Sequence, residues 1–249
     1  QDGNISLDEP RERTLRVTHI VGEKYGALFG TYFNRDDQGR IIHEMSQGYP
    51  RPSLNTSRKI LGFGVPPQQL GIGASFRYKD WNASFLVEGK SGAQVFSGTN
   101  VRLIGYGLHQ MTVPSGGREA GFVPDGVLED GTPITQSLDY TQQQNYWGRY
   151  NDVAEAGIYD SDYFRMRQMS VGYTFPKTML EGTFIQSASV SLIGKNLFFI
   201  HNSVPNVDPE SAYNNSNSQG LEFAGMPVPT TVGINTVSYT HLTLPTRRF

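Results

Sequence analysis

The chain has 249 residues, a hydrophobic content of 37%, an aromatic content of 12% and a formal net charge of −2. A net charge this small gives no electrostatic basis for binding nucleic acid. The mean hydropathy of −0.41 and the lack of any run of ~20 apolar residues exclude a membrane protein built from helices. These figures do not exclude a transmembrane β-barrel, because barrel strands alternate between apolar and polar residues. The absence of cysteine excludes a disulfide framework and thiolate metal sites.

Short β-strands separated by turns are predicted near the start of the chain. Residues 15–21 predict a modest strand with apolar side chains on one face. A hairpin is predicted from the β-rich runs 27–33 and 40–44, because the Asn, Asp and Gly residues of the segment between them (NRDDQG, 34–39) favour a turn. The proline-containing segments SQGYPRP and FGVPP, which follow, are predicted to be loops.

The clearest strand signal lies in residues 70–90. Apolar residues occupy every second position of a first strand, with small or polar residues between them: Leu70, Ile72, Ala74, Phe76 and Tyr78 against Gly71, Gly73, Ser75 and Arg77. A second strand repeats the pattern with Trp81, Ala83, Phe85 and Val87, and Leu86 interrupts its polar face. Only Lys79 and Asp80 connect the two strands, so a tight hairpin is predicted.

Residues 91–159 are a long connection rich in Gly, Pro, Asp and Gln, in which residues 141–157 predict a short helix. Four aromatic residues in it are candidates for contacts with a ligand or a partner protein: Tyr140, Tyr146, Trp147 and Tyr150. Exposed rings among Gln, Asn and Arg residues are suited to stacking on the faces of sugars. The alternative interpretation is that these rings hold their own loop together.

Two long strands joined by a short proline-containing connection are predicted in residues 160–198. The first strand places Met169, Val171, Tyr173 and Phe175 on one face, and Gln168, Ser170, Gly172 and Thr174 on the other. The second strand places Ala188, Val190 and Leu192 against Ser187, Ser189 and Ser191. One apolar and one polar side fit a barrel wall between lipid and a water-filled lumen, and they also fit a half-buried soluble sheet. A polar loop and a last short strand, from residue 230 to about residue 237, follow.

The lengths of the connections alternate along the chain: 22–67, 91–159 and 199–229 are long, whereas 79–80 and 176–184 are short. Strict alternation places every long connection on the same side of the sheet. Outer-membrane barrels have short periplasmic turns and long extracellular loops, whereas long loops are uncommon in compact domains. The pattern therefore favours an all-β fold, an antiparallel transmembrane β-barrel, over a soluble β-sandwich. Since only about six strands are predicted, the chain is interpreted as part of a larger barrel.

The sequence contains no motif that indicates catalysis or metal binding. The five histidines are scattered and show neither HxxxH nor HxH spacing. Asn34, Asp36 and Gly39 resemble part of a calcium loop, but Met45 occupies the position of the final carboxylate, so a plain turn is the preferred interpretation. Residues 208–210 (Asp-Pro-Glu) are interpreted as turn chemistry. We therefore expect no enzyme activity, no cofactor and no metal site.

Stretches along nearly the whole chain resemble the C-terminal portion of SusC/RagA-type TonB-linked outer-membrane transporters. The most characteristic part is the strand ending in GYTFPK, the next strand ending in GKNLF, and a loop that contains DPE. The matching stretches are GALFGTYFNRDDQGRII, FGVPPQQLGIGASFRYKDWNASFLVEGKSGAQVFSGT, GREAGFVPDGVLEDGTP, YDSDYFRMRQMSVGYTFPKTML and SVSLIGKNLFFIHNSVPNVDPESAYNNSNSQGLEF. Each is a soft pattern alone, but their order and spacing together are specific.

The resemblance implies a barrel of about 22 strands around an N-terminal plug, located in the cell outer membrane and in contact with its lipid. Such proteins take up oligosaccharides or peptides with energy relayed by TonB, ExbB and ExbD. They work with a SusD-like surface lipoprotein that covers the barrel, and they carry no catalytic residue. On this basis residues 1–235 are the C-terminal part of the barrel. The plug, the TonB-contacting segment and most strands are expected upstream in a longer chain.

The last residues depart from the pattern of the family. Residues 236–249 (TVSYTHLTLPTRRF) resemble translated sequencing-adaptor DNA, and we interpret them as a non-native tail. Two other functions stay open. One is a soluble secreted β-sandwich that binds carbohydrate through loop aromatics, and the other is a barrel with a purely structural or adhesive role.

Overall fold

The computed structural model describes residues 4–8, 14–117, 119–211, 213 and 219–240. Its first eight strands are β1 (Ile5–Asp8), β2 (Leu15–His19), β3 (Ala27–Phe33), β4 (Ile42–Ser46), β5 (Tyr49–Pro52), β6 (Leu54–Phe63), β7 (Gln68–Tyr78) and β8 (Trp81–Ser91). The others are β9 (Gln94–Ser97), β10 (Val127–Leu128), β11 (Ile158–Asp160), β12 (Tyr163–Thr174), β13 (Ile185–Lys195), β14 (Phe199–Asn202), β15 (Leu221–Glu222) and β16 (Thr231–Thr240).

The helices are α1 (Gly98–Gly105), α2 (Tyr140–Gly148) and α3 (Lys177–Leu180), and single turns of 3-10 helix lie at Gln110–Thr112, Arg149–Asp152 and Glu155–Gly157. The fold is therefore mainly β, as the sequence predicts. In the part of the chain that the structure describes, no helix has the length and apolar character needed to cross a membrane.

The chain divides into two compact units, and each unit is assembled from three separate segments. Unit 1 comprises Gln1–Gln68, Ser91–Asp162 and Ser203–Pro227, and unit 2 comprises Gln69–Lys90, Tyr163–Asn202 and Val228–Phe249. The long connections predicted from the sequence nearly coincide with the segments of unit 1. The predicted long strands all belong to unit 2.

Unit 2 is a six-stranded sheet in the order β7-β8-β12-β13-β16, with β14 paired to the start of β12. The two-residue connection at Lys79 and Asp80 is confirmed, and Lys79 adopts the left-handed backbone conformation with φ 53° that tight turns use. β12 and β13 pair antiparallel from Gln168 opposite Lys195 to Thr174 opposite Ser189, which confirms the predicted ribbon. β16 pairs antiparallel with β13 along its whole length.

The two faces of this sheet differ in polarity along rows of directly paired residues. One row across β8, β12, β13 and β16 consists of Ala83, Val171, Leu192 and Ile234. The neighbouring row, on the opposite face, consists of Asn82, Gly172, Ser191 and Asn235. Successive residues of a strand point to opposite faces, so the alternation in the sequence becomes one apolar and one polar side.

Unit 1 contains three small sheets, in the orders β1-β2-β3-β6, β10-β4-β5 and β11-β9-β15. Two clusters of buried side chains hold them together. One cluster joins Phe33, Ile104 and Leu138 to aromatic residues of α2, and the other joins Leu15, Phe96 and Leu221. Each cluster draws on segments far apart in the sequence, so the unit has a shared core and its segments are not independent loops.

The predicted hairpin of residues 27–44 is wrong in its pairing. β3 pairs with β2 and β6, whereas β4 pairs with β5 and β10, and the two runs share only one bridge, from Arg35 to Ile41. The turn itself forms, but the strands on either side of it enter different sheets. The segment YPRP, predicted to be a loop, is strand β5.

The prediction that residues 91–159 are a long connection with one short helix is partly confirmed. The helix is α2, but the segment also contains α1, β9 and β11. In the described ranges the strands form four separate open sheets. Barrel closure and the strand count therefore stay predictions. Of the tail interpreted as non-native, residues 236–240 belong to β16, and residues 241–249 lie outside the described residues.

Candidate functional site

Helix α2 and the 3-10 turn that follows it (Arg149–Asp152) position the four aromatic residues that the sequence singles out. Its N-terminus carries a capping box: the Asp139 carboxylate accepts a hydrogen bond from the Gln142 backbone N–H at 2.9 Å, and the Gln142 side chain accepts one from the Asp139 backbone N–H at 3.1 Å. Such a box satisfies two of the free N–H groups at a helix start. The cap fixes the start of α2 at Tyr140, so Tyr140 is 75% exposed while Tyr146 and Trp147 point into the core.

An aromatic cluster forms at the C-terminal end of α2, from Phe122, Tyr146, Trp147 and Tyr150. The ring centroids of Tyr146 and Trp147 are 5.0 Å apart, those of Trp147 and Tyr150 are 5.1 Å apart, and those of Phe122 and Tyr146 are 5.2 Å apart. Aromatic pairs at such distances contribute ~0.5–1.5 kcal/mol each beyond the burial of their area. Three of the four candidate residues are therefore part of the core of unit 1.

A buried histidine anchors this cluster to β4. His43 stacks on Tyr146 with an interplanar angle of 9°, and its Nε2 lies 3.2 Å from the Tyr146 hydroxyl. Its Nδ1 lies 3.1 Å from the Ile41 carbonyl oxygen, which only accepts hydrogen bonds, so Nδ1 carries the proton and Nε2 accepts from the tyrosine. Burial lowers the pKa of His43 and raises the pKa of Tyr146, which keeps both side chains neutral.

A cavity of about 460 Å³ opens beside the aromatic cluster. All four rings of the cluster line it, together with the charged residues Arg35, Arg40 and Asp125. Arg35 is paired with Glu155 at 3.1 Å and Arg40 with Asp36 at 2.6 Å, whereas Asp125 has no such pair among the described residues. The cavity therefore presents both signs of charge next to aromatic surface.

A smaller cavity of about 140 Å³ is also lined by Trp147. Its lining includes Tyr106, Thr112, Tyr140, Gln143, Gln144 and Trp147, and none of the described residues that line it is charged. Trp147 lines both cavities, and its buried indole N–H has no hydrogen-bond partner among the described residues. The two cavities thus share one wall but offer different chemistry.

The structure brings the four predicted site residues together around the two cavities. Tyr146 and Tyr150 line the larger cavity, Tyr140 lines the smaller one, and Trp147 lines both. The burial of Tyr146, Trp147 and Tyr150 agrees with the alternative that they hold their own loop together. Contact with a ligand or partner stays a prediction for all four.

Sequence reasoning missed two further residues at these cavities, Tyr106 and Phe122. Tyr106 is 70% exposed and follows α1, while Phe122 lies in a stretch with little periodicity. An aromatic residue between two glycines (GYG, 105–107) is the only local signal that points to Tyr106. Nothing local points to Phe122, because its ring contacts come from residues that follow it by more than twenty positions.

The two loop motifs considered for metal or acid chemistry are turns. The Asp36 carboxylate accepts hydrogen bonds from the backbone N–H groups of Gln38 at 3.0 Å and Arg40 at 2.8 Å, and it is paired with the Arg40 side chain. The Asp208 carboxylate accepts one from the Glu210 backbone N–H at 2.9 Å. Within the described ranges, no group of three or more His, Cys, Asp or Glu side chains is arranged to hold a metal ion.

No protein-family model matches the chain. A curated relative named TonB-dependent receptor P3, from Formosa agariphila, is 26% identical over 186 residues, which cover 72% of this chain and 17% of the relative. The chain therefore spans about a sixth of the length of the curated relative it matches.

Solved structures of similar fold include the RagAB peptide importer in its open-open state, with a TM-score of 0.56 and 14% identity over 93% of this chain and 24% of that one. The same importer in its closed-closed state matches with a TM-score of 0.56 and 12% identity, over 90% of this chain and 26% of that one. At this level of identity the structural likeness shows the fold alone. The relative and the neighbours agree with the resemblance drawn from the sequence.

Proposed function

We propose that this chain, similar to TonB-dependent receptors of the SusC/RagA type, is the C-terminal part of an outer-membrane nutrient transporter. The observation that carries the proposal is the sheet of unit 2, which is apolar on one face and polar on the other. The match of 93% of the chain to a structure described as a peptide importer supports it. The chain contributes part of the barrel wall and, in unit 1, the structure formed by its long connections.

The polarity of the sheet is that of a wall between lipid and water. Large side chains on the apolar face are exposed: Leu70, Ile72, Phe76, Met169, Leu192 and Ile234 are 46–74% accessible. Soluble proteins rarely leave so many large apolar side chains together on one surface. In an outer-membrane barrel this face lies against lipid, and the Ser, Asn and Gly residues of the other face lie against a water-filled lumen.

Both edge strands of the sheet can pair with further strands. β7 and β16 each have one neighbour within the described sheet, so each leaves a row of backbone groups unpaired. Exposed edges of long strands favour pairing with other strands, and a closed barrel removes them. We propose that strands elsewhere in a longer protein complete a barrel of about 22 strands around a plug.

The partners follow from the same proposal. A SusD-like surface lipoprotein covers the barrel, TonB with ExbB and ExbD supplies the energy, and the cargo is an oligosaccharide or a peptide. Residues 1–235 belong to the barrel part, and unit 1 presents its two cavities to cargo or lipoprotein. No step of this function requires catalysis by the chain.

The proposal is tested on the complete protein that contains this chain, expressed in its native host. We expect it in the outer-membrane fraction, soluble only in detergent, and we expect uptake of its cargo to stop when TonB is removed. Recovery of a folded monomer in detergent-free buffer would contradict the proposal. It would favour the alternative, a soluble secreted β-sandwich that binds carbohydrate through loop aromatics.

A further inference from the structure

The smaller cavity of unit 1 has features of a site for one uncharged ring. Its volume of about 140 Å³ is close to that of cavities of ~150 Å³, which accept a single six-membered ring such as benzene. From the lining of this cavity we propose that it binds one pyranose ring of a neutral oligosaccharide. The site consists of Tyr106, Tyr140, Gln143, Gln144 and Trp147.

Two exposed tyrosines supply the apolar surface that a sugar ring needs. Tyr106 follows α1 and Tyr140 begins α2, and their residues are 70% and 75% exposed although both line the cavity. The C–H groups on one face of a pyranose are apolar and pack favourably on the electron-rich face of an aromatic ring. Since both tyrosines are largely exposed and line the same cavity, a sugar in that cavity would bury apolar surface of both.

Uncharged polar groups next to the tyrosines match the hydroxyl groups of a sugar. Gln144 lies within α2 and lines the cavity, and its side chain has no hydrogen-bond partner among the described residues, so its amide is free to donate and to accept. Gln143 donates its Nε2–H to the Leu138 carbonyl at 3.1 Å, which fixes the side chain and leaves its Oε1 as an acceptor. A buried hydroxyl needs such partners, because an unpaired polar group in a pocket weakens binding.

The charge of the described lining residues separates this cavity from the larger one. The larger cavity carries Arg35, Arg40 and Asp125, whereas the lining residues that the structure describes at the smaller one are uncharged. A charged ligand entering the smaller cavity would lose hydration without gaining an ion pair. The cavity therefore favours a neutral sugar over a uronic acid or a charged peptide.

The test uses the complete protein, purified in detergent, and titration calorimetry with three classes of probe. These are neutral gluco-, manno- and xylo-oligosaccharides, an oligogalacturonate, and a charged tetrapeptide. We expect a neutral oligosaccharide to bind more tightly than the other two classes. The variants Tyr106→Ala and Tyr140→Ala are each expected to weaken that binding about 3- to 10-fold, the range of one aromatic contact.

Matched controls separate a loss of the site from a loss of fold. Tyr25→Ala removes an exposed tyrosine of unit 1 that lines neither cavity, and Val123→Ala alters only the larger one, so both are expected to bind like the parent. Because Tyr106 and Tyr140 are mostly exposed, their removal should leave thermal unfolding unchanged. Unchanged sugar affinity in both tyrosine variants, or failure of every neutral probe to bind, would overturn the proposal.

The interpretation of the sugar as a cargo for uptake rests on the proposed transport function. The proposal that the cavity binds a sugar is independent of that function. TonB-dependent uptake without any effect of the two tyrosine variants on sugar affinity would refute the site and leave transport standing. Tyrosine-dependent sugar binding by a protein that shows no TonB-dependent uptake would refute transport and leave the site standing.

Discussion

Val171 of β12 lies directly opposite Leu192 of β13, and both side chains are on the apolar face of the unit 2 sheet. Ser170, one position earlier, is on the other face, where its hydroxyl lies 2.7 Å from that of Ser84. Two adjacent residues of one strand thus face different surroundings.

This relationship predicts how the protein tolerates charge. Val171→Lys places an ammonium group on the proposed lipid face, where a Lys side chain costs ~2–4 kcal/mol at the bilayer midplane. Ser170→Lys places the same group in the proposed lumen, where water solvates it. We expect the first variant to reduce the folded fraction in the outer membrane strongly and the second to reduce it little, as measured by heat-modifiable migration of the complete protein. Equal tolerance of both would count against the barrel.

The residue pattern at the end of β16 predicts that the native gene encodes other residues there. Val232 and Ile234 continue the apolar face, but from Thr236 the pattern is inverted: Val237 and Tyr239 lie opposite Ser189 and Ser187 on the polar face, while Thr236 and Ser238 lie opposite Val190 and Ala188. A one-residue shift of this kind places every later side chain on the wrong face. We therefore expect the gene in the source DNA to diverge near codon 236 and to encode apolar residues at positions 236 and 238. Source DNA that encodes TVSYT at 236–240 would contradict the non-native tail.

A buried carboxylate makes one of the contacts that join the segment Ser203–Pro227 to the rest of unit 1. Glu222 is 2% exposed and accepts hydrogen bonds from the hydroxyls of Ser97 and Thr99, both at 2.6 Å. Glu222→Ala leaves the buried Ser97 hydroxyl without its acceptor, and hydrogen bonds to charged groups contribute ~1.5–3 kcal/mol. We expect faster hydrogen exchange in β9 and β15, with a smaller effect for Glu222→Gln. The exposed Glu129 provides the control, and equal exchange in Glu129→Ala and Glu222→Ala would contradict the expectation.

The buried His43 predicts that unit 1 loses stability in acid. Burial holds the pKa of His43 below its usual value of 6.5, so between these two values the unfolded chain binds a proton that the folded chain does not. Stability is therefore full above pH 6.5 and falls as the pH falls below it, by at most ~1.4 kcal/mol per pH unit for one proton.

Urea unfolding between pH 7 and pH 5 tests this expectation. His43→Gln should flatten the pH dependence, and His109→Gln should remove a further part of it, because burial also lowers the pKa of His109. His201→Gln, at an exposed position, serves as the control. A pH dependence that stays the same in His43→Gln would contradict the assignment.

The sheet of unit 2 was predictable because the residue pattern that specifies each of its strands is local in the sequence. A strand that separates two environments must alternate, and residues 70–78 and 169–175 do so almost without exception. A short helix was predicted within residues 141–157, and the start of α2 has a local signal that this prediction did not use, since its cap and the residue that completes it are three positions apart.

Unit 1 was not predictable in the same way, because its contacts join distant segments. β3 pairs with β6 and with β2, and not with the strand that follows its own turn, and no feature of residues 27–44 encodes that choice. The cavities have the same origin. Their walls combine residues after α1, at the start of α2 and within the aromatic cluster, so only Tyr140, Tyr146, Trp147 and Tyr150 were found in advance.

The interleaving of the two units has a kinetic consequence. The core of unit 1 contains both Leu15 and Leu221, about 200 residues apart, and strands of unit 2 lie between them in the chain. A contact over such a separation forms only after a large loss of chain entropy, which slows folding. If the chain folds from its N-terminus onward, the core around β2 and β3 stays incomplete until Leu221 is available to pack against it. Truncation anywhere before that residue therefore leaves unit 1 without part of its core, whatever strands have already formed.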